Sequence, residues 1–299
     1  MKKIILIVIS SLFLFNAFGQ KLKPYILAGS SASTIDAVEK SIIEKLKANG
    51  FSVEGTYKPI ADKDRTIIAI TSDDLIAAVK KAGGFKGFAL ALRVALTVEN
   101  GKVMVSYTNP EYWGRAYFTD KWDIAAPYYS KFSSKLKTSL ADFSNEKFKE
   151  FGSAKGIDAS ELKKYHYMVG MPYFDDNIKI KEFKSFEEAI NKIEANLKTG
   201  VPDVKKVYDI KLAGEKIALY GFALTGAEGE KLFMPKIDIG SPKHTGFLPY
   251  ELLVVGNKAY MLHGRFRIAL SFPDLTMGQF MKIVSTPGYI EEKMKSVCK

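Results

Sequence analysis

The sequence predicts an α+β fold of two repeated β-α-β4-α domains, each a mostly antiparallel sheet with helices packed on one face. Three observations predict it. One order of apolar strand, capped helix and paired strands occurs twice, opening at Tyr25 and again at Tyr167. Each copy contains a tight hairpin turn, Asn100-Gly101 in the first and Gly256-Asn257 in the second. The chain has 299 residues, 47% of them hydrophobic, which suits two domains of ordinary size.

Residues 1–19 stand apart. Met1-Lys2-Lys3 is basic, Ile4 to Phe15 is an apolar run with serines, and Asn16-Ala17-Phe18-Gly19 supplies small residues for a signal peptidase. This is the three-part layout of a secretory signal, shorter than the roughly twenty apolar residues of a spanning helix. Cleavage before Gln20 leaves a chain exported to the periplasm or beyond, with no membrane span. The lone cysteine, Cys298, allows no internal disulfide. The formal charge of +11 comes from lysines spread among acidic residues with no dense basic run, so it reads as a solubility shell and not a nucleic-acid surface.

In the first copy, Tyr25-Ile26-Leu27-Ala28 opens as a strand. Ile35, Val38, Ile42 and Leu46 then form one helical stripe that ends at Asn49-Gly50. Phe51 to Tyr57 and Arg65 to Ile70 are strands, and Asp73 to Ala82 is a short helix that the second copy lacks. Leu92 to Glu99 and Lys102 to Tyr107 make the hairpin, and Phe132, Leu136, Leu140 and Phe143 mark a closing helix. In the second copy Tyr167-Met168-Val169-Gly170 is the opening strand. Ser185 and Glu188 form a capping box before Phe186, Ile190, Ile193 and Leu197, and Gly200 stops that helix. Val204 to Ile210, Glu215 to Tyr220 and the hairpin around Gly256 follow. Pro110 to Tyr117 answers Pro273 to Phe280. Gly152 to Gly156 reads as a linker. The divisions are residues 1–19, signal; 20–164, first domain; 165–299, second domain.

Leu92-Arg93-Val94-Ala95-Leu96-Thr97-Val98-Glu99-Asn100-Gly101-Lys102-Val103-Met104-Val105-Ser106-Tyr107-Thr108-Asn109-Pro110 resembles a bacterial domain-of-unknown-function family, number 302. The likeness covers about half of the first copy; the second shares it through the internal repeat and departs at Leu270-Ser271-Phe272-Pro273-Asp274. The resemblance implies a β-α-β4-α fold and no activity, cofactor or site residue.

Familiar enzyme signatures are missing: no His-Glu-x-x-His, Cys-x-x-Cys, phosphate loop or Gly-x-Ser-x-Gly elbow. Ser134-Lys135-Leu136-Lys137 and Lys198-Thr199-Gly200 match pieces of a penicillin-recognising set by chance. His166, His244 and His263 lack metal-ligand spacing, so no metal and no cofactor is expected. The aromatics from Tyr107 to Phe132 read as helix-on-sheet packing.

The copies differ between the turn lysine and the matching proline. The first runs Lys102 to Pro110, the second Lys258 to Pro273, with the added residues around Met261-Leu262-His263-Gly264-Arg265-Phe266-Arg267-Ile268. An extended chain here aligns His263, Arg265 and Arg267 on one face, with Lys243 and His244 nearby, as a row suited to an anion. The expected function is an exported soluble binding module holding a small anionic or amphipathic ligand in the second domain. The alternatives are a hydrolase with a site between the domains, using His244 or His263 as base, and an envelope assembly protein.

Overall fold

The structure, a computed structural model, describes residues 20–299. The secretory signal expected at 1–19 lies outside the described residues. The first half runs β1 (Lys21–Leu22), β2 (Tyr25–Ser31), α1 (Ile35–Ala48), β3 (Ser52–Tyr57), β4 (Arg65–Thr71), α2 (Asp73–Ala82), β5 (Leu92–Glu99), β6 (Lys102–Thr108), α3 (Pro110–Phe118), α4 (Trp122–Ser139), β7 (Lys149–Phe151), β8 (Ile157–Asp158) and α5 (Ala159–Leu162). The second runs β9 (Ile178–Glu182), α6 (Phe186–Thr199), β10 (Val204–Leu212), β11 (Ile217–Leu224), α7 (Glu230–Ile237), β12 (Tyr250–Val255), β13 (Lys258–Met261), α8 (Gly264–Ser271), α9 (Met277–Met281) and α10 (Thr286–Val297).

The protein is α+β, and its strands pair antiparallel. The order is β3-β4-β5-β6-β2-β7 in one sheet and β10-β11-β12-β13-β9 in the other, with β1 and β8 as a small separate pair. Leaving β7 aside, the two orders correspond strand for strand.

Local chemistry explains the clearest elements. The Thr34 hydroxyl accepts the Ala37 N–H at the head of α1, whose buried Val38, Ile42 and Leu46 are four apart. The Ser185 hydroxyl accepts the Glu188 N–H at the head of α6. Asn100 and Gly101 both take positive φ, 52° and 76°, as a tight hairpin turn requires.

Three expectations about the order of elements are corrected. Tyr167–Gly170 is not a strand: Gly170 turns at φ 82°, Pro172 follows, and the Met171 N–H closes onto Met168 O. The opening strand is β9, where Ile178-Lys179-Ile180-Lys181 alternates against β13. The helix after the fourth strand is not peculiar to the first half, because α7 occupies the same place between β11 and β12. Gly264–Ile268 is not extended. His263 accepts the Arg265 N–H on Nδ1 and starts α8, which sends Phe266 and Leu270, four apart, into the core. The added length of the second half therefore lies after α8, around α9.

Helices cover one face of each sheet. Ala218, Tyr220, Phe222 and Leu224 of β11 join Phe186, Ile193, Ile290 and Met294 in one core. The alternate residues Ile217 and Leu219 join a larger core built mostly from the first half, together with Tyr208, Leu253 and Leu270. The uncovered faces thus meet each other. Tyr112, Trp113, Tyr117, Trp122 and Phe132 are buried, so the aromatic run packs α3 and α4 onto the sheet. Gly152–Gly156 is not a free linker, since Ser153 Oγ and the Ala154 N–H bind the Asp274 carboxylate at 3.0 and 2.6 Å.

The edge strands β3 and β10 approach closely at Gly55, where a Cβ would stand 2.1 Å from Val207 O, an impossible contact. Gly55→Ala is expected to force the strands apart and destabilise the protein by about 1–3 kcal/mol, read by urea unfolding.

Candidate functional site

Where the halves meet, a carboxylate is sealed between two guanidiniums. Tyr208, Gly221 and Glu251 lie side by side across β10, β11 and β12. A Cβ on Gly221 would fall 2.2 Å from the Tyr208 ring, so glycine there lets the ring cross the strand. Its hydroxyl donates to Glu251 Oε1, which also receives Arg93 Nη2 from β5. Arg267 of α8 places Nη1 3.3 Å from Glu251 Oε2 and donates Nη2 to Phe247 O and Pro249 O at 2.8 and 2.6 Å. Its guanidinium also lies 4.8 Å from the Tyr250 ring centre. Burial alone would lower the Arg93 pKa. The Glu251 carboxylate more than offsets it and keeps the guanidinium charged. Burial and the neighbouring carboxylate push the Tyr208 hydroxyl well above its usual range, so it remains a donor.

The expected anion row therefore divides. Arg265 and Arg267, two apart on a helix, point to nearly opposite sides. Arg267 is 2% exposed and committed to Glu251, whereas Arg265 is exposed. Arg65, Arg93, Arg115 and Arg267 each face a carboxylate; Arg265 is the arginine without one among the described residues. It stands in the wall of an apolar groove of about 220 Å³, lined also by Tyr167, Met171, Leu275, Phe280 and Met281. Met277 and Met281, four apart on α9, are half exposed along it, and Tyr167 OH braces the wall by donating to Leu275 O at 3.0 Å.

His263 borders this arrangement as a cap and not as a ligand. Burial, then the adjacent Arg265 charge, lowers its pKa and favours the neutral ring whose Nδ1 accepts the Arg265 N–H. Lys243 and His244 belong to the seam between the halves. Lys243 Nζ donates to Asp238 O and its N–H to Glu99 Oε1, both at 2.9 Å. The His244 N–H donates to Asp238 Oδ1 at 2.8 Å, and Arg65 Nη1 reaches Asp238 Oδ2 at 2.7 Å. The His244 ring centre lies 4.7 Å from that of Phe272 and 4.8 Å from that of Tyr25. The Ser271 hydroxyl is turned back onto Arg267 O at 2.7 Å.

A larger cleft of about 730 Å³ is lined by Asp120, Glu161, Lys163, Lys164 and Asp175, opposite charges intermixed, together with Ile157, Tyr165 and Phe174. Among the described residues no group of three His, Cys, Asp or Glu could hold a metal ion, and no helix is long and apolar enough to cross a membrane.

The methionine groove was hidden from the sequence because its walls come from the Tyr167–Met171 turn, α8 and α9. The one available signal was Met277 and Met281 at helical spacing, without counterparts in the first half.

Glu251→Ala leaves two buried guanidiniums uncompensated and is expected to cost about 3–5 kcal/mol in denaturant unfolding. His244 has its ordinary pKa of 6.5 lowered, first by burial, which Asp238 only partly opposes. The unfolded chain then binds its proton more readily. The contribution is complete above about pH 6.5 and is lost as pH falls. His244→Phe, keeping the aromatic contacts, is expected to flatten the melting temperature between pH 7 and 5 relative to wild type.

No protein-family model matches this chain, and no curated protein matches it. Among solved structures it is similar to the crystal structure of the uncharacterized conserved protein DUF302 from Bacillus stearothermophilus, at 17% identity, 38% of this chain, 97% of that chain and a TM-score of 0.32.

Proposed function

We propose that the protein is an exported, non-catalytic binding module that holds a small amphipathic acid in the groove between α8, α9 and the Tyr167–Met171 turn. The observation that carries this reading is Arg265, the arginine without a carboxylate, placed in the wall of an otherwise apolar groove. A guanidinium takes a carboxylate with two hydrogen bonds, and flexible thioethers adapt to a chain or ring beside it. A volume of 220 Å³ holds about seven water-sized groups at roughly 30 Å³ each, so a medium-length acyl chain or one aromatic ring fits. Export rests on the N-terminal signal layout. We also read the chain as two copies of one β-α-β4-α unit, divided near Lys164, supported by the matching strand orders.

Melting of the wild-type protein is expected to rise with hexanoate, octanoate or indole-acetate. Arg265→Ala should weaken that binding about tenfold, the worth of one charge-assisted contact. Absence of any shift with the wild type, or equal shifts in both proteins, contradicts the proposal.

A further inference from the structure

The exposed apolar side chains of the protein are gathered largely at one place. Nine large hydrophobic side chains are exposed among the described residues, and five of them stand on the methionine groove or on the turn that walls it: Met168, Val169, Met277, Met281 and Val284. Met277, Met281 and Val284 line the groove from α9 and the residues after it, each about half exposed. Met168 and Val169 occupy the tip of the Tyr167–Met171 turn, where the Met171 N–H closes onto Met168 O. Val169 is 96% exposed, so the chain itself gives it almost no cover. Apolar tips set this closely around a groove mark a surface that meets a partner.

The charges around this rim decide what the partner is. No acidic residue lines the groove, and Arg265, Lys236 and Lys282 have no carboxylate partner among the described residues. Lys236 Nζ donates to Lys282 O at 3.2 Å, which seats both lysines beside Met281. Of the acids nearby, Glu291 is paired with Lys295 at 2.6 Å, Asp274 holds Ser153 and Ala154, and Asp176 accepts the Tyr173 N–H at 2.8 Å. A second copy of the chain, packed symmetrically on this face, would set the three cations against their own images. An anionic surface takes them without repulsion, and a fluid one takes separate apolar tips without a matching shape. The formal charge of +11 draws the chain to such a surface.

We propose that the rim of the groove docks on the surface of an anionic lipid bilayer, with Met168, Val169 and Met281 entering between the headgroups and Arg265, Lys236 and Lys282 meeting lipid phosphates. The chain then lies on the membrane and does not span it. Each cation at an anionic lipid surface contributes about fivefold to binding, and a fully inserted apolar side chain about tenfold. Docking goes beyond the proposed function and needs no acid in the groove, although it places the groove's mouth where an acyl chain leaves the bilayer.

The test is co-sedimentation of the chain from Gln20 to Lys299, which omits the apolar run at residues 4–15, with vesicles of phosphatidylglycerol and phosphatidylcholine in equal parts at about 0.1 M salt. Met168→Ser/Val169→Ser is expected to weaken binding on the order of tenfold. Lys236→Gln/Lys282→Gln should weaken it roughly thirtyfold, whereas Lys40→Gln/Lys47→Gln, an equal loss of charge on α1, should change it by less than about threefold. Wild-type protein that stays in solution, equal losses from the two lysine pairs, or Met168→Ser/Val169→Ser that sediments like wild type overturns the docking. A concentration-dependent dimer in place of vesicle binding overturns it too. Melting with octanoate separates the two readings: a shift without vesicle binding overturns docking alone, and vesicle binding without a shift upholds docking and removes the acid.

Discussion

The Glu251 carboxylate, sealed between Arg93 and Arg267 with Tyr208 alongside, constrains most of what surrounds it. An unpaired charge at this depth would cost several kcal/mol, so its partners cannot be optional. They come from β5, β10 and α8, and their side chains reach Glu251 only if the uncovered sheet faces meet. Such clusters add little net stability compared with well-packed apolar residues, but removing one member is costly. The cluster ties the two halves together at one register, because its members come from both. Close backbone approaches repeat the requirement: Gly55 against Val207, and Gly87 beneath Leu253 and Ile217.

The same constraint decides which arginine reaches the surface. The turn of α8 that aims Arg267 inward carries Arg265 outward, onto the wall of the methionine groove. The groove owes its floor and second wall to the residues between α8 and α10, the stretch by which the second half departs from the first. Two arginines on one short helix are thereby divided, Arg267 paired between the halves and Arg265 left at the surface.

Much of this architecture is legible in the sequence because it is local. Ser185 and Glu188 announce α6, Asn100-Gly101 the first hairpin, and the i, i+4 spacing of Val38, Ile42 and Leu46 gives α1. The failures have two causes, local cap and turn chemistry that competes with the apolar pattern, and burial of a face by residues distant in sequence. Gly264-Arg265-Phe266-Arg267-Ile268 alternates like a strand, but His263 capping and the packing of Phe266 and Leu270 favour a helix. Tyr167–Gly170 is apolar enough for a strand, yet Gly170 and Pro172 bend it into the groove wall. Glu251 has no local feature that marks it as the partner of Arg93, since that pairing joins positions 158 residues apart.

If charge pairing and shared packing lock the halves into one body, they unfold together. Differential scanning calorimetry of residues 20–299 tests this most directly. The account predicts a single transition whose calorimetric and van't Hoff enthalpies agree. Two resolved transitions, or a van't Hoff enthalpy near half the calorimetric one, would show halves that melt independently and contradict it.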